Sequence, residues 1–392
     1  MELVLLALLV AVAGLAVASA RRRARHAGGG ECVDGHSSAD HVRAMSLLRD
    51  HALDSLDPFV LREDKRYFFA GGGMIAFRLI SRTAVVAGDP VASSDAAPRV
   101  VERFLSHAAD RGWGVAMTGV SARHLEAYRD LKFRALRIGG EAVVDPRSFS
   151  LAGRRMRKVR QSVTRVARRG WSVDVLPTRA IDASTRAELD AVERCWGAAR
   201  RRVGGFAMTF GGLRGPHEDL EGIYVLARDP EGRLRAFQRY IAYRHGLSLD
   251  LTRRLGDEPN GLCEAMVAAV LERARELELP EVSLNFAGFE HLMAPQGELR
   301  FSQRVARAAL SCLHGRFQLD RLVRFNDKFL PTWRPRYLLY RHRALLPVAG
   351  LRTLQAEGYL RAPRRRALTT PWRPRTRPVG QSMGATGPQA SR

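Results

Sequence analysis

Lysine is nearly missing from this chain of 392 residues: four lysines stand against sixty arginines. A GC-rich genome explains that ratio, so the ratio alone carries no functional message. The shortage of acid does carry one. Lys and Arg total 64 against 40 for Asp and Glu, a net charge of +24. An excess of that size points to anionic partners, either nucleic acid or an acidic membrane surface. Cysteine is equally scarce. Cys32, Cys195, Cys263 and Cys312 lie far apart, without CxxC or histidine spacing, so neither a zinc site nor a disulfide framework is indicated and a reducing compartment fits. HExxH, GxSxG and the Walker loop are all absent, which leaves a covalent Ser or Cys nucleophile without support and no metal expected.

One apolar run is long. LVLLALLVAVAGLAVASA, residues 3–20, is followed by RRRARH. At about 1.5 Å per residue it just spans a bilayer's hydrocarbon core. A cleaved signal peptide carries positive charge ahead of its apolar stretch, whereas here Glu2 precedes it and the arginines follow. Residues 1–26 therefore read as a single transmembrane anchor with a basic flank, the rest of the chain lying on the cytoplasmic side of the cell membrane. Residues 27–37, AGGGECVDGHS, read as a flexible linker. At the other end, residues 331–392 hold thirteen arginines and one acid, Glu357. Within that stretch, residues 346–392 read as a basic, largely disordered tail suited to holding anionic lipid or RNA.

Between these ends two halves of similar pattern appear, residues 38–150 and 151–345. The first reads as a helix, a meander of short strands, then helix, strand, helix, strand. In the second, RAELDAVERCWGAARRR is a helix, residues 222–243 a hairpin around Asp229–Gly232, GLSLDLTRR a strand, NGLCEAMVAAVLERAREL a helix, EVSLNFA a strand, and LRFSQRVARAALSCLHGR a further helix. A mixed α/β sheet with helices on both faces, built twice, is the expected architecture, inferred from element order alone. The second half opens with GRRMRKVRQSVTRVARRG, residues 153–170, with eight basic residues and no acid. As a helix it aligns Met156, Val159, Val163 and Val166 in an apolar seam. Arg154, Arg155, Lys158, Arg165, Arg168 and Arg169 cover the rest. Solvated helix faces normally mix signs, so an all-basic face suggests phosphate contact.

Chemistry is expected where the βαβ unit ends. In HGLSLDLTRR and EVSLNFA apolar and polar residues alternate, and the helix between them makes the two strands parallel neighbours. Ligands of such sheets bind beyond the strands' carboxyl ends, which places Asp250, Thr252, Arg253 and Asn285 for a site. Positions 250 and 253 point to opposite faces of a regular strand and meet only where the strand ends or bulges near Thr252. Half-buried polar groups satisfied by backbone are the competing reading of Asp250 and Asn285.

This βαβ in a mixed sheet resembles the acetyltransferase (GNAT) fold. The pyrophosphate-cradling [QR]-x-x-G-x-[GA] of that family does not occur at the strand-to-helix turn, RRLGDEPNGL, where Asp257 and Glu258 would repel pyrophosphate. An acyl donor other than coenzyme A is expected. Taken together and in order, GRRMRKVRQSVTRV, SLDLTRR…PNGL, VSLNFAGF and KFLPTWRPRYLLY resemble the C-terminal synthase domain of the lysylphosphatidylglycerol synthases, the multiple peptide resistance factor family, over residues 35–345. The resemblance implies tandem GNAT-like domains that move an amino acid from aminoacyl-tRNA onto phosphatidylglycerol, lysyl first and alanyl as the alternative, with no cofactor. It implies functional roles for Asp250, Arg253, Lys328, Arg336 and Tyr337, a basic segment including Lys158 and Arg160, and an acid ahead of the second sheet, for which Glu218 and Glu221 are candidates. Many members carry a multi-pass flippase before the synthase. One apolar segment here implies synthesis without flipping and a separate flippase as partner.

The residues allow the same chemistry. Transfer from an activated ester to a primary alcohol needs the two held together, a proton acceptor, and cations for the oxyanion and lipid phosphate. Asp250, Arg253 and Lys328 form the expected catalytic set, with Asn285, Trp333, Arg336 and Tyr337 binding substrate. Arg154, Arg155, Lys158, Arg160 and Arg165 would bind tRNA in a salt-dependent manner. In RFNDKFLPTWRPRYLLYR, Lys328 is expected at a structured turn ahead of a strand that closes the second sheet. Two readings compete: a related transferase with another acceptor, such as a different lipid, a peptide or a cell-wall precursor, and a non-catalytic membrane-tethered RNA-binding module. A binder has no need of a carboxylate among its cations.

Overall fold

The computed structural model describes residues 31–33, 37–198, 205–218, 220–288, 290–293 and 319–360. The apolar run read as an anchor, most of the linker, the helix expected at 299–316 and residues 361–392 lie outside these. Among the described residues no helix is long and apolar enough to cross a membrane.

The first half runs β1 (Glu31–Val33), α1 (Ser38–His51), β2 (Arg66–Ala70), β3 (Gly73–Ile80), β4 (Thr83–Ala87), α2 (Ala97–Asp110), β5 (Gly114–Val120), α3 (Leu125–Asp130) and β6 (Arg134–Val144). The second runs α4 (Arg157–Arg168), β7 (Ser172–Pro177), α5 (Ala183–Ala198), β8 (Gly222–Arg228), β9 (Leu234–Tyr243), β10 (Gly246–Arg254), α6 (Leu262–Glu276), β11 (Glu281–Gly288), α7 (Glu290–Met293), α8 (Leu319–Asn326), β12 (Thr332–Tyr340) and α9 (Leu346–Ala356). Local chemistry sets several boundaries. The Ser37 hydroxyl accepts the Asp40 N–H and caps α1. Gly71 and Gly72, both at positive φ, make the tight β2–β3 turn.

All the strands join one sheet of twelve, in the order β1-β2-β3-β4-β5-β12-β6-β11-β10-β9-β8-β7. The two halves share one pattern. β1 to β4 are antiparallel, and β5 returns parallel to β4 after α2. Likewise β7 to β10 are antiparallel, and β11 returns parallel to β10 after α6. Then the halves exchange strands: β12 pairs with β5 of the first half, β6 pairs with β11 of the second, and the two pair with each other at the centre. The stretch expected to close the second sheet is thus a central strand of a shared one.

Two further boundaries move. Cys32 pairs with Phe68, so the stretch read as linker contributes a strand. The stretch read as tail begins with α9, whose Ala349 and Ala356 are buried against the sheet. The arginine density of the remaining tail masks this short apolar helix when composition is averaged.

Helices α2 and α6 fill equivalent places. From α2, Val100, Val101 and Phe104 pack on Phe68 and Phe77; from α6, Met266, Val267, Val270 and Leu271 pack on Val225, Ala236 and Val282. Each such side chain contributes roughly 1.5–3 kcal/mol by leaving water. Met156 just ahead of α4, and Val159 and Val166 on it, are buried in the α6 core with Val163 packed beside it, and the basic side chains face outward. The helix starts at Arg157, leaving Arg154 and Arg155 in the turn before it.

Candidate functional site

Strands β10 and β11 begin as a parallel pair, Gly246 with Glu281, Leu247 with Val282 and Ser248 with Ser283, and no further pairs follow. Both then lose register: β10 between Leu249 and Leu251 against β9, β11 between Ser283 and Phe286 against β6. The bulge expected near Thr252 is centred on Asp250. On β11 Asn285 adopts φ +73°, a left-handed conformation that costs most side chains about 1–2 kcal/mol. Its amide offsets that cost. Nδ2 donates to the Leu249 carbonyl at 2.8 Å and the Met208 carbonyl at 2.6 Å, and Oδ1 accepts the Phe286 N–H at 2.6 Å. One side chain thus spans the parting strands and ties the 205–213 segment over them.

Asp250 is buried in that opening. Oδ1 accepts the Thr209 hydroxyl and the Phe210 N–H, each at 2.8 Å, and Oδ2 accepts Arg239 Nε at 2.7 Å. Burial works against the charge on Arg239, but the Asp250 carboxylate outweighs it and holds the guanidinium above the usual arginine range. Arg239 also donates to the carbonyls of Gly212 at 3.2 Å and Leu213 at 3.4 Å. Arg253 reaches the same turn from one strand over: Nη2 donates to Gly211 at 2.9 Å, Nε to Glu193 of α5 at 2.7 Å, and the guanidinium lies 3.7 Å from the Trp196 ring centre. His217 closes the turn. Its ring stacks on Phe210 at 3.8 Å, and Nε2 lies 2.9 Å from the Gly212 carbonyl. Burial, aided by Arg239, pushes it down to about 4, so the ring is neutral at pH 7, Nε2–H donates, and buried Nδ1 has no partner among the described residues.

Asp250 therefore does not orient Arg253; each has its own counter-ion, and both grip residues 209–213. Behind this turn an open cleft of ≈ 570 Å³ is lined by Asp190, Glu193, Arg194, Gly212, Leu213 and Arg214.

A second group gathers at the start of α6. Lys328 sits in the turn Asp327–Phe329 and donates to Glu264 Oε1 at 2.6 Å, while its side chain stays 36% exposed. Gly261, at φ +102°, abuts Ser162 so closely that an added Cβ would lie 2.7 Å from the serine Cβ. Helix α4 is thereby seated on the beginning of α6, and Arg165 donates to the Asn260 carbonyl at 3.2 Å. Arg160 folds back onto the carbonyls of Leu151 and Gly153, while Arg154, Arg155 and Lys158 are exposed. Trp333 braces the Lys328 turn through Nε1 to Asp327 at 3.0 Å.

Arg336 and Tyr337 belong to neither group. Arg336 is buried and donates to Asp54 at 2.9 Å, Ser55 at 3.1 Å, the Gly119 carbonyl at 3.3 Å and the carboxylate of Glu141. Tyr337 is half-buried against the first half's core. Glu218 accepts the Gly215 N–H at 2.9 Å and pairs with Arg214, and Glu221 is exposed ahead of β8. The acid that meets Arg253 is Glu193. Sequence reading missed it, together with Arg239, Thr209, His217 and Glu264. Arg239 carried a signal: an arginine between Phe237 and Tyr240 in a strand buried on both faces must be paired. Among the described residues no His, Cys, Asp or Glu cluster could hold a metal ion.

The family model described as "Phosphatidylglycerol lysyltransferase, C-terminal" matches residues 45–340. The lysylphosphatidylglycerol biosynthesis bifunctional protein LysX of Mycobacterium marinum is 34% identical over 342 residues, covering 85% of this chain and 30% of that protein. The LysX of Rhodococcus jostii is 33% identical over 323 residues, covering 81% of this chain and 29% of its own length. The chain thus spans about 30% of the curated relatives it matches. Among solved structures, L-PGS from Bacillus licheniformis superposes with a TM-score of 0.70 at 24% identity, covering 81% of this chain and 97% of that one. That likeness establishes a shared mixed α/β, GNAT-like fold.

Proposed function

The chain belongs to the phosphatidylglycerol lysyltransferase C-terminal family, and from that premise we propose that it transfers an aminoacyl group, lysyl before alanyl, from aminoacyl-tRNA to the head-group hydroxyl of phosphatidylglycerol. The observation that carries the reading is the turn 209–213, clamped at the parting of β10 and β11 by Asp250, Arg239 and Arg253.

The chemistry divides between the two groups. The head-group oxygen attacks the ester carbonyl carbon, and the bond from that carbon to the ribose oxygen breaks. The proton lost by the attacking hydroxyl ends on the departing ribose oxygen, so no net base is consumed. What the protein must supply is placement and a positive field. Asp250, Arg239 and Arg253 spend their hydrogen bonds inside the protein and act as positioning residues for the turn. Lys328 gives one of its three N–H donors to Glu264, leaving two for a phosphate or the developing oxyanion. Arg154, Arg155 and Lys158 face solvent at the start of α4, where tRNA phosphates would bind. The donor ester is on the tRNA itself, and the turn before α6 carries Asp257 and Glu258 where a coenzyme A pyrophosphate would need donors.

Lipid mass spectrometry after incubation with phosphatidylglycerol vesicles and lysyl-tRNA or alanyl-tRNA tests the reading. Lysyl-phosphatidylglycerol is expected from the wild type. In Asp250→Asn the group facing Arg239 is an amide, and turnover should drop about a hundredfold with tRNA binding unchanged. Full activity in that variant would remove Asp250 from the reaction. Absence of aminoacylated lipid with every aminoacyl-tRNA would turn the reading toward another acceptor.

A further inference from the structure

The segment that holds Asp250 is itself held by the first half of the chain and by the end of α9. Gly205 N–H donates to the Glu357 carbonyl at 3.1 Å, and the Glu357 carboxylate is stabilised by the backbone N–H groups of Phe206 and Ala207. Arg62 donates to the carbonyls of Gly205 at 2.7 Å and Thr209 at 3.2 Å. Lys65 donates to the Phe59 carbonyl at 2.7 Å, and its ammonium lies 4.8 Å from the Phe206 ring centre. Phe206 and Ala207 are buried among Ile80, Val85, Ala87 and Ala356, in a core cluster built from β3, β4 and α9. Two residues further on, Thr209 and Phe210 donate to Asp250. A buried lysine and a buried glutamate, 2% and 6% exposed, thus sit at the fixed end of a short arm whose free end is the site.

We propose that Glu357 and Lys65 are positioning residues for the aminoacyl transfer, setting Thr209 and Phe210 against Asp250 through residues 205–208. The inference rests on the transfer reading above and adds to it a role for the first half and the C-terminal helix. The charged and titratable groups around the pair are Arg62, its partner Asp64, and Tyr359. Burial pushes Lys65 down to about 7 and Glu357 up to about 7, so the pair changes charge state near neutral pH.

The test pairs hydrogen exchange with kinetics on the full chain. In Glu357→Gln, amides 206–210 should exchange about tenfold faster with α6 unaffected, and kcat should drop about tenfold at unchanged KM for lysyl-tRNA. Combined with Thr209→Val the loss should not exceed that of the worse single variant, because both act through the same hydrogen bond to Asp250. The wild-type kcat should change across pH 6–8 as both groups titrate, and Glu357→Gln should remove the Glu357 step and leave that of Lys65. Unchanged exchange at 206–210, or strictly additive losses, would overturn the proposal. If Glu357→Gln does not fold, Lys65→Met takes its place with the same expectations. Asp250→Asn is assayed in parallel. An active Asp250→Asn refutes the reading of the site, whereas an inactive one beside additive Glu357 and Thr209 losses refutes only this inference.

Discussion

Two residues past the last parallel pair of β4 with β5 the chain places Asp89, and two residues past the last parallel pair of β10 with β11 it places Asp250. The two positions are equivalent in a duplicated topology, but their surroundings differ. β4 and β5 stay paired from Thr83–Gly114 to Ala87–Thr118, and the Gly88 N–H extends the ladder to Thr118 at 2.8 Å. Asp89 is closed in by the Ser121 N–H and the Tyr128 hydroxyl, each at 2.9 Å. Around it stand Asp54, Asp57 and Glu141, with Arg336 as the buried cation. Burial, reinforced by Asp54, pushes both Asp57 and Asp89 upward. At the other crevice the strands part after Ser248, and each carboxylate has its own arginine: Asp250 has Arg239 and Glu193 has Arg253. One crevice is sealed, and its cation comes from β12, the strand exchanged from the second half. The other is opened by two bulges. A duplicated scaffold can thus use one copy as a weld and leave the other as the candidate site.

The largest expected effect tests the weld. Arg336→Met leaves Asp54 and Glu141 buried without their cation and should cost about 3–5 kcal/mol in denaturant unfolding. Turnover per folded molecule should hold. Preserved stability with lost turnover would break the comparison and return Arg336 to the substrate. Next comes His217, whose folded pKa of about 4 lies below the ordinary 6.5. The unfolded chain binds that proton first, so stability present above pH 6.5 should fall as pH drops toward 4, by up to about 3 kcal/mol. His217→Phe keeps a ring over Phe210 and should flatten that window in unfolding measured against pH. Parallel curves for the two proteins would show that the open crevice carries no such buried base.

The βαβ unit over 246–288 is legible in the sequence because apolar and polar residues alternate on both strands, and so is the seam of α4. The strand exchange is not. Nothing local in TWRPRYLLY states which half it joins, since pairing is decided by neighbours more than 180 residues away, such as Arg336 with Gly139. Site residues divide in the same way. Asp250, Arg253 and Lys328 stand in recognisable motifs. Glu193 hides beside the apolar stripe of α5, formed by Leu189, Val192 and Trp196, and Thr209 lies in a loop whose role depends on a bulge. Counter-ions are set by tertiary proximity, and one-dimensional pattern does not encode it.

The smallest effect, and the sharpest for the comparison, is Lys328→Arg. At the sealed crevice the buried cation is an arginine whose planar fork bridges Asp54 and Glu141. In the half that holds the open one, the partly exposed cation at the start of α6 is a lysine bonded to the single oxygen Glu264 Oε1. An arginine at 328 would tend to take both oxygens of Glu264 side by side and turn its donors inward. An ammonium on Glu264 keeps two donors directed away. Charge is conserved and the pair is partly exposed, so stability should move by less than about 1 kcal/mol. Turnover should fall about tenfold, equivalent to about 1.4 kcal/mol, with tRNA affinity unchanged because α4 is untouched. Measuring kcat and KM for both substrates separates these terms. A fully active Lys328→Arg would mean that the opening needs only positive charge at this point. The distinction between the crevices would then rest on the parted strands and not on the choice of cation.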